Sequence, residues 1–309
     1  MSDIVTVTVN PTLDLSFETE TVLPTEKLRS DHERRDPGGG GINVARMIRA
    51  LGGDTLALVA VGGAIGRFVT EALKREGVPF RAVWIEDYSR ESISVFERST
   101  GRQYRFVLPG PHFHPPEWQA VLDELTRLPS TAVVASGSLA PGIPDDFYAR
   151  LVRLAHDEGR KVVVDTTGPA LEPALAEGVW LYKPNRQELA EFVGHALEDR
   201  AAVEAAARDV VASGRAEVVA VSLGAEGAVL ADSRAAVHVP APHVRTASTI
   251  GAGDSFLGAL VHALVRRMDL DDALRLAVAA GSAKTGLAGN AALSREAVEA
   301  LVGEMAPAG

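Results

Sequence analysis

The sequence predicts an α/β protein: a three-layer α/β/α sandwich around a mostly parallel sheet, with a small β-sheet lid. Three observations carry this. Short apolar runs alternate along the chain with segments of 3.6-residue periodicity. Runs such as Val162-Val163-Val164 are apolar at successive positions, as in strands covered by helices on both faces. Two stretches break this rhythm with strict alternation, in "SISVFER" and "RQYRFVL", and read as short strands outside the main sheet.

The strands of the main sheet are expected at residues 4–9, 56–61, 132–136, 161–165, 218–222 and 228–231. Helices are expected at residues 42–51, 67–76, 116–128, 144–158, 187–192 and 200–213. This βα alternation calls for crossover connections and hence for parallel strands. The lid strands are expected at about 15–31 and 92–108, with a turn at Thr100-Gly101, forming a small antiparallel sheet. Such a sheet must pair, cover a ligand, or both. It is read as a lid through which two subunits form a homodimer. No repeat or linker interrupts the 309 residues, so one domain over 1–309 is expected.

Composition narrows the function. The net charge of −10 argues against a nucleic-acid partner, so cations for an anionic ligand must be gathered locally. The absence of cysteine excludes disulfides and thiolate chemistry. The first residues carry Asp3 where a secretion signal needs bases, and no apolar run approaches the roughly 18 residues of a membrane span. A cytoplasmic protein without membrane contact is the expectation. The eight histidines show no zinc spacing, and neither HExxH nor GxSxG occurs.

Two glycine-rich stretches carry the chemistry. "RRDPGGGGINVARMIRALGG", residues 34–53, sets four glycines before a helical pattern. A run that long is wasted inside a helix or strand, so something must approach the backbone closely there. "TASTIGAGDSFLGALVHAL", residues 246–264, puts Gly251-Ala252-Gly253 just ahead of an apolar helix. Free N–H groups and the helix dipole favour an anion at such a terminus, and Asp254 in the first turn can accept a hydroxyl proton. The competing reading is a plain glycine turn with Asp254 starting a helix. There is no GxxxxGK[ST], and no GxGxxG follows the first strand; "GGAIG" at 62–66 has the wrong spacing.

Together, "GGGGINVAR" and "TIGAGDSFLGAL" resemble the paired signatures of the ribokinase-like (PfkB) carbohydrate kinases. The likeness spans the chain: "VNPTLDLS", "QYRFVLPG", "SGSLAPGIP", "VVVDTTGPAL", "KPNRQEL", "VVAVSLGAEGAV" and "VAAGSAKTG" follow in family order. The four-glycine run resembles the bacterial 6-phosphofructokinases of PfkB type. The resemblance implies transfer of phosphate from ATP, with Mg²⁺, to fructose 6-phosphate. Fructose 1-phosphate or tagatose 6-phosphate is the alternative substrate, and a sugar-binding regulator without turnover is the alternative class.

The resemblance also implies residue roles. Asp254 becomes the base for the sugar hydroxyl, and the amides of Gly251, Ala252 and Gly253 hold the migrating phosphoryl group. Asp14, Gly39, Gly40, Asn43 and Ser138 surround the sugar, with residues 38–41 as the hinge between lid and body. Asp14 is expected at the end of the first strand. Lys27, Arg29, Arg90 and Arg105 supply cations for the sugar phosphate from the lid, with Lys27 acting across a dimer interface. Lys183, Asn185, Ser222, Gly224 and Gly227 lie by the nucleotide, and Glu188 meets Mg²⁺ through water. An Asn185–Glu188 helix-capping pair remains the structural alternative. Ser248, Ile250 and Gly289 match a potassium site. Lys284 and Ala291 there replace a small residue and an Arg, which leaves potassium dependence undecided.

Overall fold

The computed structural model describes residues 2–287 and 292–305. In chain order the strands are β1 (Ile4–Thr8), β2 (Thr12–Thr19), β3 (Asp31–Gly38), β4 (Thr55–Gly62), β5 (Phe80–Ile85), β6 (Arg90–Glu97) and β7 (Arg102–Val107). They continue with β8 (Ala132–Ser136), β9 (Lys161–Asp165), β10 (Val179–Tyr182), β11 (Ala216–Ser222), β12 (Ala228–Ala231) and β13 (Ala236–Val239). The helices are α1 (Gly40–Ala50), α2 (Gly63–Arg75), α3 (Pro115–Thr126), α4 (Phe147–Asp157), α5 (Leu171–Ala176), α6 (Arg186–Val193), α7 (Arg200–Ala212), α8 (Ala252–Val265), α9 (Leu270–Thr285) and α10 (Arg295–Met305).

Nine strands form the main sheet in the order β13-β12-β11-β10-β9-β8-β1-β4-β5, parallel except for the two pairings of β12. Side chains alternate across it. Val5, Val7, Val133 and Val162 pack with α3, α4 and α7, whereas Ile4, Val134 and Val163 pack with α1, α8 and α9. That alternation makes three layers, because adjacent residues of a strand face opposite sides. Gly258 lets α8 close on α1, since a Cβ there would lie 2.8 Å from that of Met47.

The lid is a four-stranded sheet in the order β3-β2-β6-β7. It differs from the expectation in three ways. First, its strands occupy 12–19, 31–38, 90–97 and 102–107 rather than filling 15–31 and 92–108. Second, it is mixed: the outer pairs are antiparallel, but β2 and β6 run parallel. The reason is topological. Each leaves the same end of the main sheet directly after one of its parallel strands, β1 and β5, so both set out in the same direction. Third, Asp14 belongs to β2, inside the lid, and not to the end of the first strand. The strand β3, "DHERRDPG", was not expected as one, because its mostly exposed edge position lets charges replace the apolar alternation.

Candidate active site

A cavity of about 300 Å³ lies between the lid and the carboxyl ends of β8 and β9. Open parallel sheets gather ligands at that edge, where the loops leaving the strands converge. Its walls bring together Asp14, Gly39, Gly40, Asn43, Arg90, Arg105, Ser138, Ile250, Gly251 and Asp254 from the sequence expectation. Gly39 has φ of 125°, a left-handed value that favours glycine, as the chain turns from lid into α1. At Gly40 a Cβ would collide with the Ser136 hydroxyl, so the helix can start this close to the sheet only without a side chain. The glycine run therefore lets the lid hinge and the first turn of α1 line the cavity with backbone.

At the cavity floor the first turn of α8 presents Asp254. Its Oδ2 accepts a 2.8 Å hydrogen bond from Asn43 Nδ2. Burial pushes its carboxyl up to about 6, and the Asp165 charge adds to this. The Asn43 bond and Lys183 pull the other way, while Asp14 contributes a smaller upward effect. Lys183 is buried and pairs with Asp165 at 3.2 Å. Burial alone would lower its ammonium, but Asp165, Glu188 and Asp254 outweigh that and raise it. The corner thus holds two carboxylates and one lysine, with one carboxylate poised near neutrality. Gly251, in the left-handed region at φ 73°, caps α8. The Ala252 N–H closes a turn on the Thr249 carbonyl at 3.3 Å, while the next amides of the first turn have no acceptor within the helix.

Opposite lie the lid cations. Burial lowers the Arg90 guanidinium and Asp14 partly restores it; the group remains charged at any physiological pH. Its Nη2 donates to the Asn10 carbonyl at 3.4 Å, whereas its buried Nε has no partner among the described residues. A half-buried guanidinium with an unused, shielded donor, at the wall of a cavity, is suited to an anion. Arg105 shares that cavity, but Lys27 and Arg29 do not: they sit in the exposed loop between β2 and β3.

The expected nucleotide residues form a contiguous neighbouring group. Lys183 precedes Asn185, which bridges to Ser222, and the Ser222 N–H donates to the Pro184 carbonyl at 3.1 Å. Gly224 and Gly227 bound the turn between β11 and β12. Asn185 and Glu188 form a reciprocal cap: Glu188 N–H donates to Asn185 Oδ1 at 2.9 Å, and Asn185 N–H to Glu188 Oε2 at 2.8 Å. The capping alternative is therefore present, and it occupies one oxygen of Glu188. Ser248 donates its N–H to the Thr285 carbonyl at 3.1 Å, and its Oγ accepts from Ile250 N–H at 3.2 Å. Gly289, the third expected potassium ligand, and Ala291 lie outside the described residues. Lys284, buried in the last turn of α9, has its ammonium pushed down to about 8 by burial and by Arg46 and Arg34.

Several cavity residues had not been singled out. Asp165 is the most consequential, since it is the charge that most raises Asp254 and the partner of Lys183. The signal was available: an acid ending an apolar parallel strand, in "VVVDTTGPAL", at the ligand edge of the sheet. Ser136 donates to Asp165 Oδ2 at 3.1 Å, and Thr12, Gly137, Thr166 and Thr167 complete the wall. Tyr148 and Thr166 both donate to the Gly137 carbonyl, at 2.9 and 3.0 Å, which fixes that loop.

Known proteins share this architecture and sequence. The chain is 42% identical over 298 residues to ATP-dependent 6-phosphofructokinase isozyme 2 of Mycobacterium tuberculosis, covering 96% of this chain and 88% of that protein. It is 40% identical over 287 residues to the enzyme of the same name from Escherichia coli, covering 92% and 93%. A 1-phosphofructokinase of Xanthomonas campestris is 35% identical over 280 residues, covering 88% and 86%. Crystal structures of Escherichia coli phosphofructokinase-2 with potassium, with fructose-6-phosphate, and in a tetrameric inhibited form superpose with TM-scores of 0.94, 0.93 and 0.92. Their identities are 38%, 37% and 38%, with 99% of both chains covered in each case. The model of the pfkB family carbohydrate kinases matches residues 6–296. With the amide-lined helix start, the carboxylate beside it and a lid over both, the chain belongs to the pfkB family of carbohydrate kinases.

Proposed function

We propose that this kinase phosphorylates O1 of fructose 6-phosphate with ATP, giving fructose 1,6-bisphosphate and ADP. The supporting observation is the polarity of the cavity, with Arg90 and Arg105 from the lid and Asp254 beside the glycine turn. A sugar phosphate held by the arginines directs its far hydroxyl to Asp254. Oδ1 of Asp254 takes the hydroxyl proton while Oδ2 keeps the Asn43 hydrogen bond. The O1–P bond forms, the bond from Pγ to the bridging oxygen breaks, and ADP leaves. Free amides at the start of α8 meet the charge that spreads over the transferred group. Asp14, Asn43 and Ser138 orient the sugar, and Gly39 and Gly40 admit it against the backbone.

Lys183, Asn185, Ser222, Gly224 and Gly227 line the nucleotide side. Mg²⁺ travels with ATP and offsets its phosphate charge. The residues fit a hydrated ion: Glu188 keeps one carboxylate oxygen beyond its cap, and Asp165 adds acid nearby. A closed ligand cage is absent, since the one cluster of three metal-binding side chains among the described residues, Glu18, Asp31 and His32, lies on the lid. Potassium fits less well. Lys284, buried in the last turn of the helix that packs against the Ser248 loop, puts a long cationic side chain where the family pattern has a small residue. No step is assigned to potassium.

The lids pair two subunits. Leu23, Leu28, Phe96, Phe106 and Leu108 are exposed on the lid, an apolar surface that a partner lid would cover. Lys27 and Arg29, between β2 and β3, would then reach the partner's cavity. No helix among the described residues is long and apolar enough to cross a membrane.

The test is a coupled assay with Mg-ATP against fructose 6-phosphate, fructose 1-phosphate, tagatose 6-phosphate and free fructose. The expected result is a kcat/KM for fructose 6-phosphate at least about tenfold above the others, the scale of one well-made polar contact. A preference for fructose 1-phosphate, the activity named for the Xanthomonas relative, would replace the substrate assignment. Binding without turnover would make the chain a regulator.

A further inference from the structure

A chain of hydrogen bonds runs behind Asp254 and out to the lid hinge. Arg46 lies one helical turn beyond Asn43 on α1. Its Nε and Nη2 grip both carboxylate oxygens of Glu76, at 2.7 and 2.6 Å, just past the end of α2. Its Nη1 donates to the Pro37 carbonyl at 2.7 Å and to Asn43 Oδ1 at 3.2 Å. Asn43 Nδ2 in turn donates to Asp254 Oδ2 at 2.8 Å. We infer that Arg46 is a positioning residue, which fixes the Asn43 amide toward the catalytic carboxylate and ties that orientation to the lid hinge.

Donors and acceptors fix the direction of this amide. A guanidinium can only donate and an ionised carboxylate can only accept. An amide placed between them has one satisfied orientation, with oxygen toward Arg46 and nitrogen toward Asp254. Turning it over sets N–H against N–H and oxygen against the carboxylate, losing both bonds. Glu76 holds the guanidinium by a two-pronged contact, the geometry in which Arg is most firmly oriented. The link to the lid is Pro37, which precedes the hinge glycines in β3. A lid that swings at Gly38 and Gly39 moves the Pro37 carbonyl and so bears on the same guanidinium that sets Asn43.

This inference rests on Asp254 as the base, and its test separates the two ideas. Other charges also face Asp254: Asp165 of β9, Lys183 after β10, Asp14 of β2 and Lys284 of α9. All of them stay in place in an Arg46→Met variant, as does the Asn43 side chain, now free to turn. The carboxyl of Asp254 is followed by ¹³C NMR across pH in wild type and variant, and steady-state kinetics are measured beside it. In Arg46→Met the titration midpoint is expected to move above about 6, because the bond that favours the ionised form is lost part of the time. kcat is expected to fall about 10- to 100-fold, the scale of a misplaced reacting group, with KM for ATP changed less than about threefold. Glu76→Gln, which loosens the grip without removing Arg46, shifts both in the same direction by less.

An unmoved midpoint with kcat within about twofold of wild type overturns the inference. A lower Tm with an unmoved midpoint overturns it as well, since Arg46 would then only support the fold. If Asp254→Asn kept its turnover, the base assignment would fail, while the midpoint in Arg46→Met would still report on the amide.

Discussion

Asp254→Asn gives the most demanding check on the site, because it makes opposite demands on activity and stability. The wild-type carboxyl is raised from 3.8 to about 6 by burial and by Asp165. A carboxyl with a raised folded value is harder to ionise in the protein than in the unfolded chain. Its cost is absent below the unfolded value, grows as pH rises through the interval, and is full above about 6. About two pH steps at roughly 1.4 kcal/mol each set an upper bound near 3 kcal/mol, and partial solvent access reduces it to about 1–2 kcal/mol. Asparagine is neutral, nearly isosteric and still able to accept from Asn43. The variant is therefore expected to be more stable at pH 7.5, by about 1.5–3 °C in Tm, with the gain vanishing near pH 4. Turnover is expected to drop by about 10²–10⁴-fold, with fructose 6-phosphate affinity largely kept. Calorimetry at the two pH values and a coupled kinetic assay read both. A kcat within about tenfold of wild type, or a Tm that falls at pH 7.5, would refute the assignment of a strained, desolvated base.

Four further outcomes follow from the same geometry. Arg90→Ala is expected to raise KM for the phosphosugar at least about tenfold while leaving KM for ATP within about twofold, since the proposed pose sets the sugar phosphate, and not ATP, against that guanidinium; equal effects on both substrates would remove its phosphate role. Wild-type kcat is expected to fall as pH drops through about 6, tracking protonation of Asp254, and a rate flat from pH 5 to 7 would show that another group limits the reaction. Replacing potassium by tetramethylammonium is expected to change kcat less than about twofold, given the buried Lys284 ammonium; loss of most activity would restore a potassium site. Phe106→Glu is expected to shift the protein toward monomer in analytical ultracentrifugation, because it places charge on the exposed apolar lid surface.

The sequence was most legible where period and burial agree. Residues 132–136, 161–165 and 228–231 are strands within the bounds read from apolar pattern alone, since strands covered on both sides of the sheet leave no face for polar residues. It was least legible at sheet margins. β5 carries Arg81 and an exposed Trp84, and β3 carries six charged or polar residues in a row, because an edge answers to solvent on one side. The glycine turns disclosed the site, but neither the Asp165–Lys183 pair nor the Arg46 contacts could be read. Those depend on which loops meet in space, across separations of 18 and 30 residues in the chain. Lys27 and Arg29 show the converse case: suitable side chains in a suitable segment that do not line their own cavity.

The lid enters and leaves the body four times: after β1, before α1, after β5 and before α3. Each of its two hairpins is thus moored by both ends, and the two tips, at residues 20–30 and 98–101, lie side by side, joined by the Ser99 N–H to the Glu20 carbonyl at 3.0 Å. A protease that clips either tip severs the chain yet releases neither half, because every strand keeps its own covalent root. The same arrangement lets the short turn at residues 99–101 change in length from one descendant to another without loosening the cover over the cavity.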